Sequence, residues 1–151
     1  MKQIIISGKT FEKARKEINE NKSKEIIFTN DDDDLNRKII EKLPINILLL
    51  NQKDRKDFQK QRNSGLNQVL AIIAKKNKIS IGINLDEIIE SSPKQKAEIL
   101  ARVKQNIVLC NKQKIQMKFI TQNSENKRNP HDLKSLGLIL GMPTWMTKGL
   151  N

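Results

Sequence analysis

The chain has 151 residues, 36% of them hydrophobic and 30% charged, a balance that fits a single globular domain with a modest core. Its 29 Lys and Arg residues exceed its 17 Asp and Glu residues, and the net charge of +12 favours a polyanionic partner, nucleic acid first. No apolar run is long enough to cross a membrane, no signal peptide is recognisable, and one cysteine excludes an internal disulfide; we therefore expect a cytoplasmic protein with no membrane partner.

The first part of the chain alternates strands with helices. Residues 3–7 (QIIIS) predict a buried strand, and a helix is expected from about Phe11 with Thr10 as its N-cap. Residues 25–29 (EIIFT) predict a second strand. In residues 30–43 the apolar side chains recur on one helical face, which predicts the second helix.

The same alternation continues through the middle of the chain. Pro44 ends the second helix, and residues 45–50 (INILLL) predict the third strand. A helix is expected over about 64–77, begun by Ser64 or Asn63 and turning Leu66, Val69, Leu70 and Ile73 inward. Residues 78–83 (KISIGI) predict the fourth strand.

The last part of the chain has the strongest helix signal. Ser92 as N-cap and Pro93 at the first helical position predict the start of a long helix. Residues 116–121 (QMKFIT) predict the fifth strand, and Asn129 is expected to cap a final helix. Residues 142–151 are expected to form a loose tail on a single domain that spans residues 1–151.

Repeated alternation of strands and helices with short connections predicts parallel strands joined by right-handed crossovers. A complete eight-unit barrel needs about 250 residues, so this chain is expected to form either a small open sheet or an incomplete barrel. In both architectures the loops that carry function lie at the carboxyl ends of the strands. Functional residues are therefore expected in those loops.

The connection after the third strand is long and basic. It has about 13 residues, where two to six are usual, and connections of that length are often functional. Its cations are Lys53, Arg55, Lys56, Lys60 and Arg62. Lys127 and Arg128 form a second basic cluster, in the loop after the fifth strand on the same expected face. We predict that both clusters contact RNA or a protein partner, a solvated loop being the alternative.

Metal or nucleophilic chemistry has little support in the sequence. His131 is the only histidine, and Asp132 beside it is expected at a helix start on dipole grounds alone. The aspartates at 31–34 (DDDD) are also favourable in a first helical turn, and four neighbours cannot all converge on one Mg²⁺ ion. Residues 7–10 (SGKT) lack the first glycine of a phosphate-binding P-loop. Cys110 lies on the inward stripe of the long helix, as a core residue would.

Three stretches together resemble protein component 3 of archaeal ribonuclease P, in order and in spacing: RNSGLNQVLAIIAKKNKISIGINL, ILARVKQNIVLCNKQKIQMKFIT and RNPHDLKSLGLILGM. The resemblance covers about residues 51–142, whereas the first 50 residues share mainly the rhythm of strands and helices. It implies an α/β, TIM-barrel-like (PHP-like) fold with parallel strands. We expect the barrel to be incomplete, with about six strands, because the chain lacks the first one or two strand–helix units of that family.

The resemblance also implies a function. The family's protein supports a catalytic RNA that removes the 5′ leader from precursor tRNA, so the chain itself is expected to supply no catalytic residue and to bind no cofactor or metal. Mg²⁺ would belong to the RNA of the holoenzyme. The expected partners are ribonuclease P RNA, another small ribonuclease P protein subunit and, indirectly, precursor tRNA. By motif, the expected contact residues are Arg62, Asn63, Arg102, Asn106, Arg128 and His131.

Two other functions stay open from the sequence. A scaffolding protein would bind a protein partner without touching RNA, through the same arginines. A stand-alone metal-dependent phosphoesterase would need several histidines at the strand ends, and the chain has one. An incomplete barrel also needs its open seam covered, and a partner protein, a second copy or the tail could cover it.

Overall fold

The structure, a computed structural model, describes residues 2–151 and contains one sheet of five parallel strands. The strands are β1 (Gln3–Ile6), β2 (Glu25–Thr29), β3 (Ile47–Leu50), β4 (Ser80–Asn84) and β5 (Met117–Ile120). Each strand pairs with the next in the chain, so their spatial order is also their order in the sequence. A doubly wound sheet would reverse direction at a switch point. The continuous winding seen here is that of a barrel, which confirms the predicted TIM-barrel-like arrangement.

Helices connect the strands, and each begins with a side-chain or proline signal. In the described part of the chain they are α1 (Phe11–Glu20), α2 (Asp33–Lys42), α3 (Gln68–Lys76), α4 (Leu85–Glu90), α5 (Pro93–Gln113), α6 (Pro130–Ile139) and α7 (Thr144–Thr147). The predicted caps Thr10, Ser92 and Asn129 each accept a hydrogen bond from a backbone N–H two or three residues into the helix. A single 3₁₀ turn at Ser124–Asn126 precedes α6.

Two details of the predicted elements were wrong. The described residues form five strands, the same five that the sequence patterns located, where about six were expected. The third helix begins at Gln68, capped by Asn67, and not near Ser64. Val69, predicted to point inward, is 51% exposed, because the buried face of the helix is made by Leu70, Ala71 and Ala74.

Both faces of the sheet are buried, as parallel strands require. Alternate residues of the strands pack under the helices, and Phe28, Leu48 and Ile81 are at most 1% exposed there. The other face carries a small cluster made by Ile27, Ile47, Leu49 and Ile120. That second cluster occupies the position of a barrel interior.

The sheet curls towards a barrel but does not close. Lys118 on β5 lies 3.7 Å from the Glu25 carboxylate on β2, three strands away. In a flat sheet these strands would be separated by roughly 14 Å, and the contact between their long side chains fits a curled sheet. β1 and β5 nevertheless have one neighbour each, and a cavity of about 310 Å³ lies between them, lined by Gln3, Phe119 and Leu150 among others.

The prediction of a loose tail over 142–151 was wrong. The segment forms α7, and Met142, Met146 and Leu150 are at most 3% exposed in the main core. The Gln116 side chain at the start of β5 donates a hydrogen bond to the Met146 carbonyl oxygen at 2.7 Å. Within residues 2–151, no helix is both long and apolar enough to span a bilayer.

Candidate nucleic-acid interface

Polar side chains join the carboxyl ends of three neighbouring strands. The Asn84 amide, at the end of β4, donates to Asn51 Oδ1 at 2.9 Å, and the Asn51 amide donates to Thr29 Oγ1 at 3.1 Å. Asn84 also caps α4 through Glu87 N–H. These hydrogen bonds fix the start of the long connection between β3 and α3. We call the first part of that connection, residues 51–63, the basic loop.

A buried arginine holds the basic loop from below. Arg102, on α5, is 3% exposed and donates three hydrogen bonds into the loop. Its Nε meets Asp57 Oδ1 at 3.0 Å, Nη1 meets the Gln52 carbonyl oxygen at 2.9 Å, and Nη2 meets the Arg55 carbonyl oxygen at 2.7 Å. The planar fork of arginine donors suits such a three-point contact better than the single ammonium group of a lysine.

Two amide side chains of α5 hold the far end of the loop. Gln105 accepts from Arg62 N–H at 3.2 Å and donates to the Arg62 carbonyl oxygen at 2.9 Å, so it pairs with the backbone as a strand would. Asn106, 2% exposed, donates to the Ser64 carbonyl oxygen at 3.1 Å. These contacts hold residues 62–64 in a non-helical conformation and delay the start of α3.

Arg55 turns inward and joins the loop to α2. Its guanidinium binds both carboxylate oxygens of Asp33, at 2.9 and 3.0 Å, and its Nε donates to the Asn51 carbonyl oxygen. Gly65 lies against this guanidinium with φ of +78°, and a Cβ there would come within 2.7 Å of Arg55 Nη2. A glycine is therefore required both by the backbone conformation and by the packing.

The remaining cations of the loop face solvent. Lys53, Lys56 and Lys60 are exposed, and in the described chain none of them has a carboxylate within ion-pair distance. Arg62 is 44% exposed at its side chain and shares Asp57 with Arg102. Phe58, between the lysines, is 59% exposed. The one signal for Phe58 in the sequence is an aromatic residue inside a basic loop.

The second basic cluster also lies in the open. Lys127, Arg128 and His131 are exposed at the loop after β5 and the start of α6. Arg128 donates only to backbone carbonyl oxygens of its own loop, at 3.2 and 3.3 Å. The two clusters are therefore both at the carboxyl end of the sheet, as predicted.

The structure corrects the roles of three predicted contact residues. Arg102 and Asn106 are buried, and the surface that they were predicted to offer to RNA or a partner is occupied by the basic loop. Arg55, whose side chain is 10% exposed, is engaged by Asp33 and Asn63. These three act as positioning residues. Gln105 and Asp57, which hold Arg62, were missed because Gln105 lies 43 residues from Arg62 and Asp57 lies 45 residues from its other partner, Arg102.

The carboxylates near this surface do not fit a metal centre. Glu87 accepts the N–H groups of Gln52 and Lys53, and burial raises the pKa of its carboxyl. Burial also acts to raise the pKa of Asp86, but hydrogen bonds from the backbone of Gln122 and from Asn126 outweigh it and leave the pKa lowered. Among the described residues, no three of the types His, Cys, Asp and Glu converge on a point that could hold an ion. Glu87 and Asp86 are both already bound by protein donors.

Acid should open the basic loop before the sheet unfolds. The hydrogen bond from Arg102 lowers the pKa of Asp57 below its usual 3.8, against partial burial, which acts to raise it. A lowered acid pKa stabilises the folded loop above the unfolded value of 3.8 and ceases to do so as pH falls through the folded value. We expect the NMR amide signal of Asn63, whose N–H donates to Asp57 at 3.0 Å, to shift with a midpoint below 3.8.

The Asp57→Asn variant is the control for this titration. It cannot ionise, so its Asn63 signal should stay constant through the same acid window while its loop is already loosened at neutral pH. A midpoint at or above the usual aspartate value in the parent protein would contradict the prediction.

Comparisons with known proteins agree with this geometry. No protein-family model matches the chain. The chain is 31% identical over 85 residues to ribonuclease P protein component 3 of Thermococcus kodakarensis, a match that covers 54% of this chain and 38% of the relative. The chain is therefore related to ribonuclease P protein component 3. This match confirms the resemblance carried by the three sequence stretches.

A solved structure extends the likeness to nearly the whole chain. A chain of the cryo-EM structure of archaeal ribonuclease P with mature tRNA superposes with a TM-score of 0.77 at 19% identity. The superposition covers 97% of this chain and 62% of that chain. At this identity the match establishes the fold alone, an α/β, TIM-barrel-like sheet that is not closed. The chain spans well under two thirds of the length of the curated relative.

Proposed function

We propose that this chain is a non-catalytic protein subunit of ribonuclease P, which supports a catalytic RNA in removing the 5′ leader from precursor tRNA. The observation that carries the proposal is the match to ribonuclease P protein component 3, which a superposition on a chain of an archaeal ribonuclease P structure supports. The basic surface at the carboxyl end of the sheet adds a physical reason, since it presents cations without carboxylate partners.

The basic loop is suited to contact RNA phosphates. Its backbone is fixed by Arg102, Gln105 and Asn106, so its lysines project from a rigid support and little conformational entropy is lost on binding. Lys53, Lys56 and Lys60 supply point charges for phosphates. Phe58, in the same segment, offers a ring face on which one unpaired base could stack.

The remaining components follow from the same proposal. The RNA would hold the catalytic Mg²⁺ ions, and the chain would bind no cofactor of its own. A second small ribonuclease P protein would be the protein partner, precursor tRNA would be reached through the RNA, and the cytoplasm is the expected location. Lys127, Arg128 and His131 are open to either the RNA or the protein partner.

Reconstitution is the experiment that decides the proposal. Ribonuclease P RNA and the other protein subunits from the same organism are assembled with and without this chain, and cleavage of precursor tRNA is measured over a range of Mg²⁺ concentrations. We expect omission of the chain to lower the rate and raise the Mg²⁺ requirement. Unchanged rate, Mg²⁺ requirement and substrate affinity would reject the subunit role.

Charge removal on the basic loop should change the salt dependence of RNA binding. The triple variant Lys53→Gln, Lys56→Gln, Lys60→Gln should bind ribonuclease P RNA with a log–log salt slope smaller by about three, if each lysine meets one phosphate. Fluorescence anisotropy at several salt concentrations gives the slope. A matched triple variant in the exposed lysines of α1 and its following turn, Lys13, Lys16 and Lys22, is the control.

The same titration separates the subunit from a protein-only scaffold. A scaffold predicts that the loop variant weakens binding to the small protein subunit and leaves the salt slope for RNA unchanged. A direct RNA contact predicts that the loop variant reduces the salt slope for RNA and leaves binding to the small protein subunit unchanged. A slope that falls equally in the loop and control variants would indicate only nonspecific attraction to a chain of net charge +12.

A further inference from the structure

A second group of lysines surrounds a cleft at the opposite end of the sheet. The cleft has a volume of about 320 Å³ and lies where α3 and α5 end and β4 and β5 begin. Its cations are Lys75, Lys76, Lys78 and Lys114. The other residues that line it include no Asp or Glu. We call this cavity, with its four lysines, the lysine cleft.

The positive charge of the lysine cleft exceeds what the fold requires. Lysines near a helix C-terminus normally offset its partial negative charge, which is about −0.5 per helix. The ends of α3 and α5 together contribute about −1, so four lysines leave a surplus of about +3 around one cavity. Like charges this close repel one another, and a bound anion would relieve that repulsion.

Two of the four lysines have structural contacts that hold the cleft open in one shape. Lys75 Nζ donates to the Lys114 carbonyl oxygen at 3.0 Å, which ties the end of α3 to the end of α5. Lys114 Nζ lies 5.4 Å from the centre of the Trp145 ring, a cation–π distance. Lys78 and Lys114 both have φ of +58°, which turns the chain sharply after each helix.

The other two lysines remain available to a ligand. Lys76 and Lys78 are exposed, and in the part of the chain that the structure describes neither ammonium group has a hydrogen-bond or ion-pair partner. They flank the same cavity that Lys75 and Lys114 shape. The arrangement therefore places two free cationic donors beside one cavity.

The lysine cleft cannot be part of the surface at the basic loop. Gln105 on α5 touches the loop, and Lys114 follows nine positions later on the same helix, which at 1.5 Å per residue is about 14 Å away. The two surfaces also lie at opposite ends of the strands. One phosphate therefore cannot serve both, and a ligand common to both must present two separate anionic segments.

We propose that the lysine cleft is a second RNA-phosphate site, so that the chain holds two backbone segments of RNA at opposite ends of its barrel. The inference rests on the proposed function for the identity of the polyanion. Lysine is depleted from protein–protein interfaces relative to the rest of the surface, whereas it is a common phosphate ligand. The cleft therefore favours RNA over an acidic protein.

Lysine reactivity tests this inference site by site. The whole chain is treated with an acetylating reagent, alone and with a short RNA duplex or ribonuclease P RNA, and each modified lysine is quantified by mass spectrometry. We expect RNA to protect Lys76 and Lys78 several-fold while Lys16 and Lys22 stay reactive. Protection confined to the basic loop, or no protection by either RNA, would overturn the proposal. Protection by the small protein subunit and not by RNA would overturn it in favour of a protein interface.

Variants give an independent measure on the same RNA. The double variant Lys76→Gln, Lys78→Gln should reduce the salt slope by about two and should add to the effect of the basic-loop variant. Lys16→Gln, Lys22→Gln is the control of equal charge. A slope that matches the control would overturn the second site, even if reconstitution had established the subunit. Conversely, the RNA duplex could protect Lys76 and Lys78 although omission of the chain leaves precursor tRNA cleavage unchanged. That result would support the lysine cleft as an RNA site and reject the subunit role.

Discussion

Replacing Arg102 by Gln should lower the free energy of unfolding by about 3 kcal/mol, since removal of one partner leaves a buried charge network without its counterpart. Arg102 is 3% exposed, and its loss would strip two carbonyl oxygens, of Gln52 and Arg55, of their donor. Asp57 keeps 29% of its side chain exposed and can be rehydrated, which places the cost at the lower end for buried pairs. In a chain of this size the melting temperature should fall by about 6–12 °C.

Two further variants identify the cause of that loss. Arg102→Lys retains the charge but not the fork of donors, so it should recover only a small part of the stability. Arg37→Gln removes an arginine that is 53% exposed and pairs with Glu41 on the same helix, and this should cost about 0.5 kcal/mol or less. Equal effects of Arg102→Gln and Arg37→Gln in denaturant titrations would contradict the buried role.

The same variant should weaken RNA binding without removing an RNA contact. Without Arg102 the basic loop loses its attachment at residues 52, 55 and 57, and its lysines would be ordered only on binding. We therefore expect lower affinity at every salt concentration with a nearly unchanged salt slope. A slope reduced by about one would instead show that Arg102 reaches a phosphate itself.

The alternation of strands and helices could be predicted from the sequence because each signal is local. Runs such as EIIFT at 25–29 and a proline after a serine cap at Ser92 define their elements within a few residues. The handedness of parallel crossovers then leaves few possible topologies. The position of the functional loops follows from the topology alone.

The orientation of the arginines could not be predicted in the same way. Arg102 and Arg62 are chemically alike, yet one is buried and the other is 44% exposed at its side chain. The difference depends on contacts to residues 45–50 positions away in the sequence, which no local pattern encodes. The start of α3 was misplaced for the same reason, because Gln105 and Asn106 hold residues 62–64 outside the helix against their helix signal.

Replacing Met146 by Ala should also cost about 3 kcal/mol, because a fully buried side chain is truncated and leaves a cavity. Met146 is 0% exposed and lies in the main core with Met142 and Leu150. Its helix α7 has only four residues and follows Pro143, so the local sequence gives little sign of this burial. Lys148→Ala, an exposed change two residues later, should alter stability by less than about 0.5 kcal/mol.

Chemical denaturation of both variants decides whether the tail is part of the domain. A loose tail would make Met146→Ala as mild as Lys148→Ala. A packed tail predicts that Met146→Ala lowers the free energy of unfolding much more than Lys148→Ala does. It also predicts that β5 becomes more mobile in Met146→Ala, because the Gln116 side chain next to β5 donates a hydrogen bond to the Met146 carbonyl oxygen. The tail also lines the seam between β1 and β5 through Leu150, so a loosened tail would expose that open edge. Faster amide exchange in β5 than in β2 in the Met146→Ala variant would show that the tail covers this edge of the incomplete barrel.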